Sequence, residues 1–478
     1  MRRGLCAFLL LAWCAAAHAD PSRWPAALRS ALADSGIAPA GAGLIVQEVD
    51  SPHSILEWNA DRPFTPASTM KLLTTLAALD MLGPAYTWRT EVYTDGVVHD
   101  DTLDGNLVLK GYGDPELTLE KFWLLLRDVR ARGIREIHGD VVTDRSFFAL
   151  EATDPGQFDN DPTRAYNVLP DALLVNHKSV RLQFVPQEEA GGVHIIAAPD
   201  LPPITIINQL ALGAGNCAFW PDKPQILPEQ ARLVFTGVFP KGCGERVKSF
   251  SLLTPNEYLA ALFQQTWAQL GGTLTGTVRD GALPDGARLL TTWESAPLGE
   301  VIRTINKFSN NVMARNVYLT LGLAADNPPV TTHTAERAVR EWLQRNKLLT
   351  PELVLENGSG LSRVERISPR SLSSLLQFAW RSPSMPEYLA SLPIAGVDGT
   401  LRQRLGGSPA AGRAHIKSGY LDGVRAIAGY VQDANGRMLV VVAMVNHPNA
   451  VNAQPFFDAL TEWIWARDSG PPGRQQPP

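Results

Sequence analysis

The tetrapeptide Ser68-Thr69-Met70-Lys71 follows Pro66-Ala67 and opens a run with helical pattern, STMKLLTTLAA. Residues i and i+3 share a helix face, so the Lys71 amine can reach the Ser68 hydroxyl. A serine hydroxyl is a weak nucleophile until a neighbouring base takes its proton, and a lysine desolvated in a cleft can be neutral enough to do so. The helix N-terminus adds backbone N–H groups and a positive dipole end that suit an oxyanion. Alone, S-x-x-K equally describes a helix cap followed by a solvated lysine. Two further elements change that weighting: Ser309-Asn310-Asn311 within NKFSNNVMARN, and Lys417-Ser418-Gly419 after His415-Ile416. A second hydroxyl can relay a proton, and an amide can hold both a lysine and a substrate carbonyl. A strand-borne lysine beside a glycine can accept an extended substrate with its carboxylate. The three in this order point to acyl transfer through a serine. A Ser–His–Asp alternative finds little support, because the 9 histidines are scattered and no G-x-S-x-G occurs; the GSG at 358–360 is not a nucleophile elbow.

These residues lie far apart in the chain, so the elements between them must fold back. GLIVQEVDSPHSILEW reads as two short strands around Asp50-Ser51-Pro52, and Ser68 starts a helix running into Ala78. Between about 91 and 290 the texture becomes short alternating apolar segments broken by Gly, Pro, Asp and Asn, with a helix at 119–132. Helical periodicity returns at 258–270, 298–321, 335–346 and 369–381. Segments 414–417, 425–432 and 438–446 read as strands, the last two joined as a hairpin by Asp433-Ala-Asn-Gly436. The expected fold is therefore one α/β (α+β) domain split in sequence, residues 20–92 and 293–468, around a β-rich insertion at 93–292 with two subdomains. The Pro/Gly/Gln-rich tail, 469–478, is expected to be disordered.

With 478 residues, 45% apolar and 19% charged, the chain has the balance of a globular protein. Its net charge of −5 without Lys/Arg clusters argues against nucleic acid as a partner. Residues 1–19 carry Arg2-Arg3, an apolar run and Ala17-His18-Ala19, the order of a cleavable secretory signal, so the expected location is the periplasm. Trp13 spoils the lipoprotein-like Leu11-Ala12-Trp13-Cys14. Cleavage would leave Cys217 and Cys243, 26 positions apart, most simply a disulfide worth roughly 3 kcal/mol in the chain-entropy view. Two cysteines without clustered histidines are too few for a metal site, and no cofactor is expected. No segment after the signal reaches the length of a membrane span.

The ordered set S-x-x-K, S-x-N and K-S-G resembles that of the penicillin-recognising serine enzymes. More narrowly, PASTMKLLTTLAAL, LVLKGYGDPELT, ENGSGLSR, LPIAGVDGTLRQR and IKSGYLDGV resemble the D-alanyl-D-alanine carboxypeptidase/endopeptidase family that includes penicillin-binding protein 4. The roughly 200-residue insertion between the first two elements is itself a mark of that family. The resemblance implies the penicillin-recognising transpeptidase/β-lactamase-like fold. It implies Ser68 as acylated nucleophile, Lys71 as general base and Ser309 as proton relay. Asn311 would orient Lys71 and substrate, Lys417 would supply electrostatic support, and the N–H groups of Ser68 and Tyr420 would form the oxyanion hole. Ser418, Gly419 and Tyr420 would line the substrate. Asp144 in VVTDRSFF would meet an ammonium on the substrate or else cap a turn; Arg363 would meet a peptide carboxylate or else form a structural bridge.

The third element departs from the family pattern: Ser418 stands where Thr is usual, Tyr420 replaces a small hydroxyl residue, and Asp422 adds a charge. These changes bear on substrate preference. The expected function is a periplasmic serine DD-carboxypeptidase/DD-endopeptidase acting on peptidoglycan peptides and covalently inhibited by β-lactams. The alternatives are a β-lactamase of the same fold and a non-catalytic cell-wall binding protein. A homodimer is compatible with the sequence.

Overall fold

A computed structural model describes residues 24–467 apart from 190, 228 and 229; the signal-like segment 1–19 and the tail 469–478 lie outside them. The elements around the site are α1 (Ala26–Asp34), β1 (Ala42–Glu48), β2 (Ser54–Trp58), α2 (Lys71–Leu82), α3 (Leu298–Phe308), α4 (Asn311–Thr320), α5 (Thr332–Arg345), α6 (Pro369–Trp380), β3 (Ala414–Leu421), β4 (Val424–Gln432), β5 (Met438–Asn446) and α7 (Gln454–Ala466). The strands form one antiparallel sheet in the order β3-β4-β5-β1-β2.

The unbroken apolar run of β5 follows from its central place, with both faces covered. Val440, Val442 and Met444 enter a core with α2, α3, α4 and α6, while Leu439, Val441, Ala443 and Val445 enter a second core with Leu28 and Leu32 of α1 and Phe456, Phe457 and Leu460 of α7. Each such Val, Leu, Met or Phe side chain contributes about 1.5–3 kcal/mol by leaving water. Because β1 pairs with β5, Ile45 opposite Val442, the sheet is built from both ends of the described chain.

Helix α2 is buried from Lys71 through Leu79, as expected of a segment apolar nearly all round. A 3₁₀ turn, Ala67–Met70, precedes it and carries Ser68. The helical stretch expected over 298–321 is interrupted: Ser309 adopts φ 59°, ψ 36°, and Asn310 caps α4 by accepting the Met313 N–H at 3.1 Å. The apolar spacing on either side hides this break. Helices α1, α7 and Met385–Ser391 were not expected from periodicity, and β3 continues past Lys417 to Leu421.

The inserted stretch enters and leaves through adjacent antiparallel strands, Arg89–Thr94 and Arg288–Glu294. It carries five-stranded, six-stranded and four-stranded sheets, whose buried side chains, among them Phe184, Phe235 and Phe239, share a core with helices Leu119–Ala131 and Pro255–Gln269. Cys217 and Cys243 form a disulfide there, with Cα atoms 5.2 Å apart.

Candidate active site

Lys71, at the first position of α2, is fully buried and its amine is surrounded by three oxygens. Nζ lies 3.0 Å from Ser68 Oγ, 2.6 Å from Asn311 Oδ1 and 2.5 Å from the Ser359 carbonyl. An ammonium has three protons and so fills all three contacts. After losing one proton it can still donate to Asn311 and Ser359, leaving its lone pair toward the Ser68 hydroxyl. Burial pulls its proton affinity well below the ordinary lysine value, the Lys417 cation acts in the same direction, and Glu365 opposes them.

The left-handed turn at Ser309 aims its hydroxyl across the cleft, where Lys417 Nζ donates to Oγ at 2.9 Å and to the Ser418 carbonyl at 2.8 Å. Burial lowers Lys417 to about 7. Asn311, at the start of α4, presents Oδ1 to Lys71, and its Nδ2 donates to the Tyr166 carbonyl at 3.4 Å. The structure thus brings Ser68, Lys71, Ser309, Asn311 and Lys417 into two linked clusters that meet between α2 and β3.

β3 is the edge strand beside the Ser68 turn. The Ile416 N–H donates outward to the Pro393 carbonyl at 2.9 Å, away from β4. Alternation along a strand places the Ser418 and Tyr420 N–H groups on that same edge. A Cβ on Gly419 would lie 2.8 Å from the Pro66 carbonyl oxygen and 3.2 Å from the Ser68 nitrogen, so only glycine lets the two segments approach this closely.

The loop 356–365 contributes more than Arg363. Its Ser359 carbonyl completes the Lys71 shell, and Thr74 Oγ1 donates to the Gly358 carbonyl at 2.6 Å. Gly360 has φ +78°, and a Cβ there would fall 1.9 Å from the Ala67 carbonyl oxygen. The paired glycines of Gly358-Ser359-Gly360 were the available signal in the sequence; a backbone carbonyl carries no residue type to find it by. A loop at 392–401 also reaches the site: Lys307 Nζ donates to Asp398 Oδ2 at 2.6 Å, and Thr400 Oγ1 lies 3.2 Å from Ser418 Oγ.

Arg363 stacks on Phe158, its guanidinium carbon 4.7 Å from the ring centroid, and donates to the Asp422 carbonyl at 3.0 Å. The exposed Tyr420 ring packs on Arg425, 3.3 Å from guanidinium carbon to centroid. Asp144 ends the inserted strand Val141–Asp144. Its side chain is 1% exposed and held by Lys110 at 3.2 Å and by the N–H groups of Ser146 and Leu283 at 2.8 and 2.9 Å. The carboxylate is thus already held by groups of the inserted region, as the turn-capping alternative expects.

A serine beside a buried lysine, with a second lysine beside an edge strand, is the arrangement of a serine peptidase. The chain belongs to the D-Ala-D-Ala carboxypeptidase 3 (S13) family, which it matches over residues 25–464. It is 27% identical over 406 residues to the D-alanyl-D-alanine carboxypeptidase DacB of Haemophilus influenzae, covering 84% of this chain and 85% of that one. It is 28% identical over 434 residues to a D-alanyl-D-alanine carboxypeptidase of an Actinomadura strain, covering 87% and 80%. The crystal structure of penicillin binding protein 4 from Haemophilus influenzae superposes with a TM-score of 0.75 at 25% identity, covering 92% of this chain and 99% of that one.

Proposed function

We propose that this peptidase is a periplasmic DD-carboxypeptidase/DD-endopeptidase that acts on peptidoglycan stem peptides through an acyl-enzyme on Ser68 and is trapped covalently by penicillins. The observation that carries the proposal is the Lys71 amine between Ser68 Oγ and Asn311 Oδ1, desolvated and beside a second cation. Neutral Lys71 takes the Ser68 proton as Oγ attacks the carbonyl carbon of the penultimate D-alanine. The negative charge that develops on the carbonyl oxygen meets the N–H groups of Ser68 and Tyr420. The proton then passes from Lys71 through the Ser309 hydroxyl to the leaving nitrogen, the C–N bond breaks, and the amine departs. Water, giving up a proton to the same base, attacks the ester, and the C–O bond to Ser68 breaks to restore the hydroxyl. A β-lactam enters by the same first step, but its leaving group stays tethered.

The Lys417 charge suits a substrate that ends in a carboxylate, and Arg363 suits a second one farther along the peptide. Export by residues 1–19 would bring the chain to its substrate. The test compares D-alanine release from a pentapeptide with cleavage of a cross-linked dimer by the purified mature protein. Release or cleavage that vanishes in Ser68→Ala supports the proposal. Rapid repeated hydrolysis of penicillin would support a β-lactamase instead, and fragment binding with no turnover a non-catalytic binding protein.

A further inference from the structure

Glu365 lies wholly beneath the site, at 0% exposure. One of its oxygens, Oε1, accepts three consecutive backbone N–H groups, from Glu356 at 3.3 Å, Asn357 at 3.1 Å and Gly358 at 3.0 Å. The other, Oε2, is buried with no hydrogen-bond partner. The residue after this nest is Ser359, whose carbonyl accepts from Lys71. Between them the chain has little freedom. Asn357 Oδ1 accepts the Ser359 N–H at 2.9 Å and its hydroxyl at 2.6 Å. Gly358 sits against the Tyr318 ring at φ +70°.

A carboxylate inside a protein is costly unless its charge is answered. The N–H groups answer part of it, and burial still pushes the carboxyl above its ordinary range. The remaining field reaches the cations near it, Lys71 on α2 and Arg315 on α4, and the Tyr318 hydroxyl; Glu356 is the other acidic group of the loop. Arg315 is itself buried and donates to the Val168 carbonyl at 3.2 Å rather than to Glu365. Lys71 therefore receives from Glu365 both a fixed acceptor and a buried counter-charge.

We propose that Glu365 is a positioning residue for Lys71: its carboxylate holds the 356–358 turn that sets the Ser359 carbonyl on the lysine, and its charge sets how readily that lysine gives up its proton. The inference rests on Lys71 serving as the base for Ser68. Removing the charge makes the neutral amine easier to reach, so the acidic limb of the acylation profile moves to lower pH. Removing the oxygen from the turn while keeping the charge loosens the Ser359 carbonyl and lowers the plateau without moving the limb.

The experiment measures the second-order rate of acylation by a fluorescent penicillin from about pH 4 to about pH 9, across the range where such side chains titrate, on the mature protein, Glu365→Gln and Glu365→Asp. In Glu365→Gln, one pH unit below the wild-type midpoint, the rate relative to its own plateau is expected to rise at least about threefold. In Glu365→Asp the midpoint stays and the plateau falls about tenfold. A Glu365→Gln limb at the wild-type position overturns the proposal, as does a displaced limb in Glu365→Asp. If Glu365→Gln does not fold, Glu365→Asp decides alone. A wild-type protein that never acylates at Ser68 would instead refute the base role of Lys71.

Discussion

Lys71 Nζ lies 2.6 Å from Asn311 Oδ1 although 240 positions separate the two residues. This hydrogen bond joins α2, which follows the turn carrying Ser68, to α4, the second helix after the inserted stretch. Asn311→Ala removes the acceptor and leaves the lysine free to swing. Acylation by penicillin is expected to fall about 10²-fold with the melting temperature nearly unchanged. A loss below about threefold would show that Asn311 does not hold the base.

In the proposed mechanism Lys71 acts as a neutral base and Lys417 as a cation, so their titrations bound the working range. The rate rises as Lys71 loses its proton, which burial and the Lys417 charge move well below the ordinary lysine range. It falls again as Lys417 loses its own, at about 7. The pH profile of acylation should therefore turn down on the alkaline side near neutrality, and Lys417→Arg, whose guanidinium keeps its charge, should lose that downturn. A flat profile through this region in the wild-type protein would contradict the role of Lys417.

Gly360→Ala places a methyl group against the Ala67 carbonyl, at a backbone angle that alanine resists. A loss of about 3 kcal/mol in unfolding free energy is expected, together with loss of acylation, because the clash falls on the residue before Ser68. Gly407→Ala, where a Cβ meets open space, is the control and should stay within about 0.5 kcal/mol of wild type. Chemical denaturation checks both.

Asp398→Ala leaves the Lys307 amine without its carboxylate, in a side chain only 5% exposed. Because the Asp398 side chain is itself about one-third exposed, the expected cost is about 1–2 kcal/mol. The Thr400–Ser418 contact should loosen with it, raising KM more than it lowers kcat. An unchanged KM would mean that the 392–401 loop does not shape the substrate edge.

Much of the site is legible in the sequence because its chemistry sits in local spacings. Ser68 and Lys71 meet over three residues of helix, and MLVVVAMV can be apolar throughout only if both faces of its strand are covered. The rest depends on contacts between distant segments. Nothing in Ser359 marks its carbonyl as a lysine acceptor, and nothing in Glu365 marks it as the anchor of a backbone turn. The left-handed turn at Ser309 leaves one trace, the capping side chain of Asn310, inside otherwise continuous helical spacing. For Asp144 the motif left open a ligand contact or a turn cap, and its contacts with Lys110 and the Leu283 N–H are set by sheet neighbours that the motif does not name.

The central claim is that Ser68 becomes acylated. The direct measurement is mass spectrometry of the mature protein after incubation with penicillin, with the adduct located by peptide mapping. One penicillin per chain on the peptide containing Ser68, absent from Ser68→Ala, is the predicted result; an adduct on another residue, or one that persists in Ser68→Ala, would contradict it.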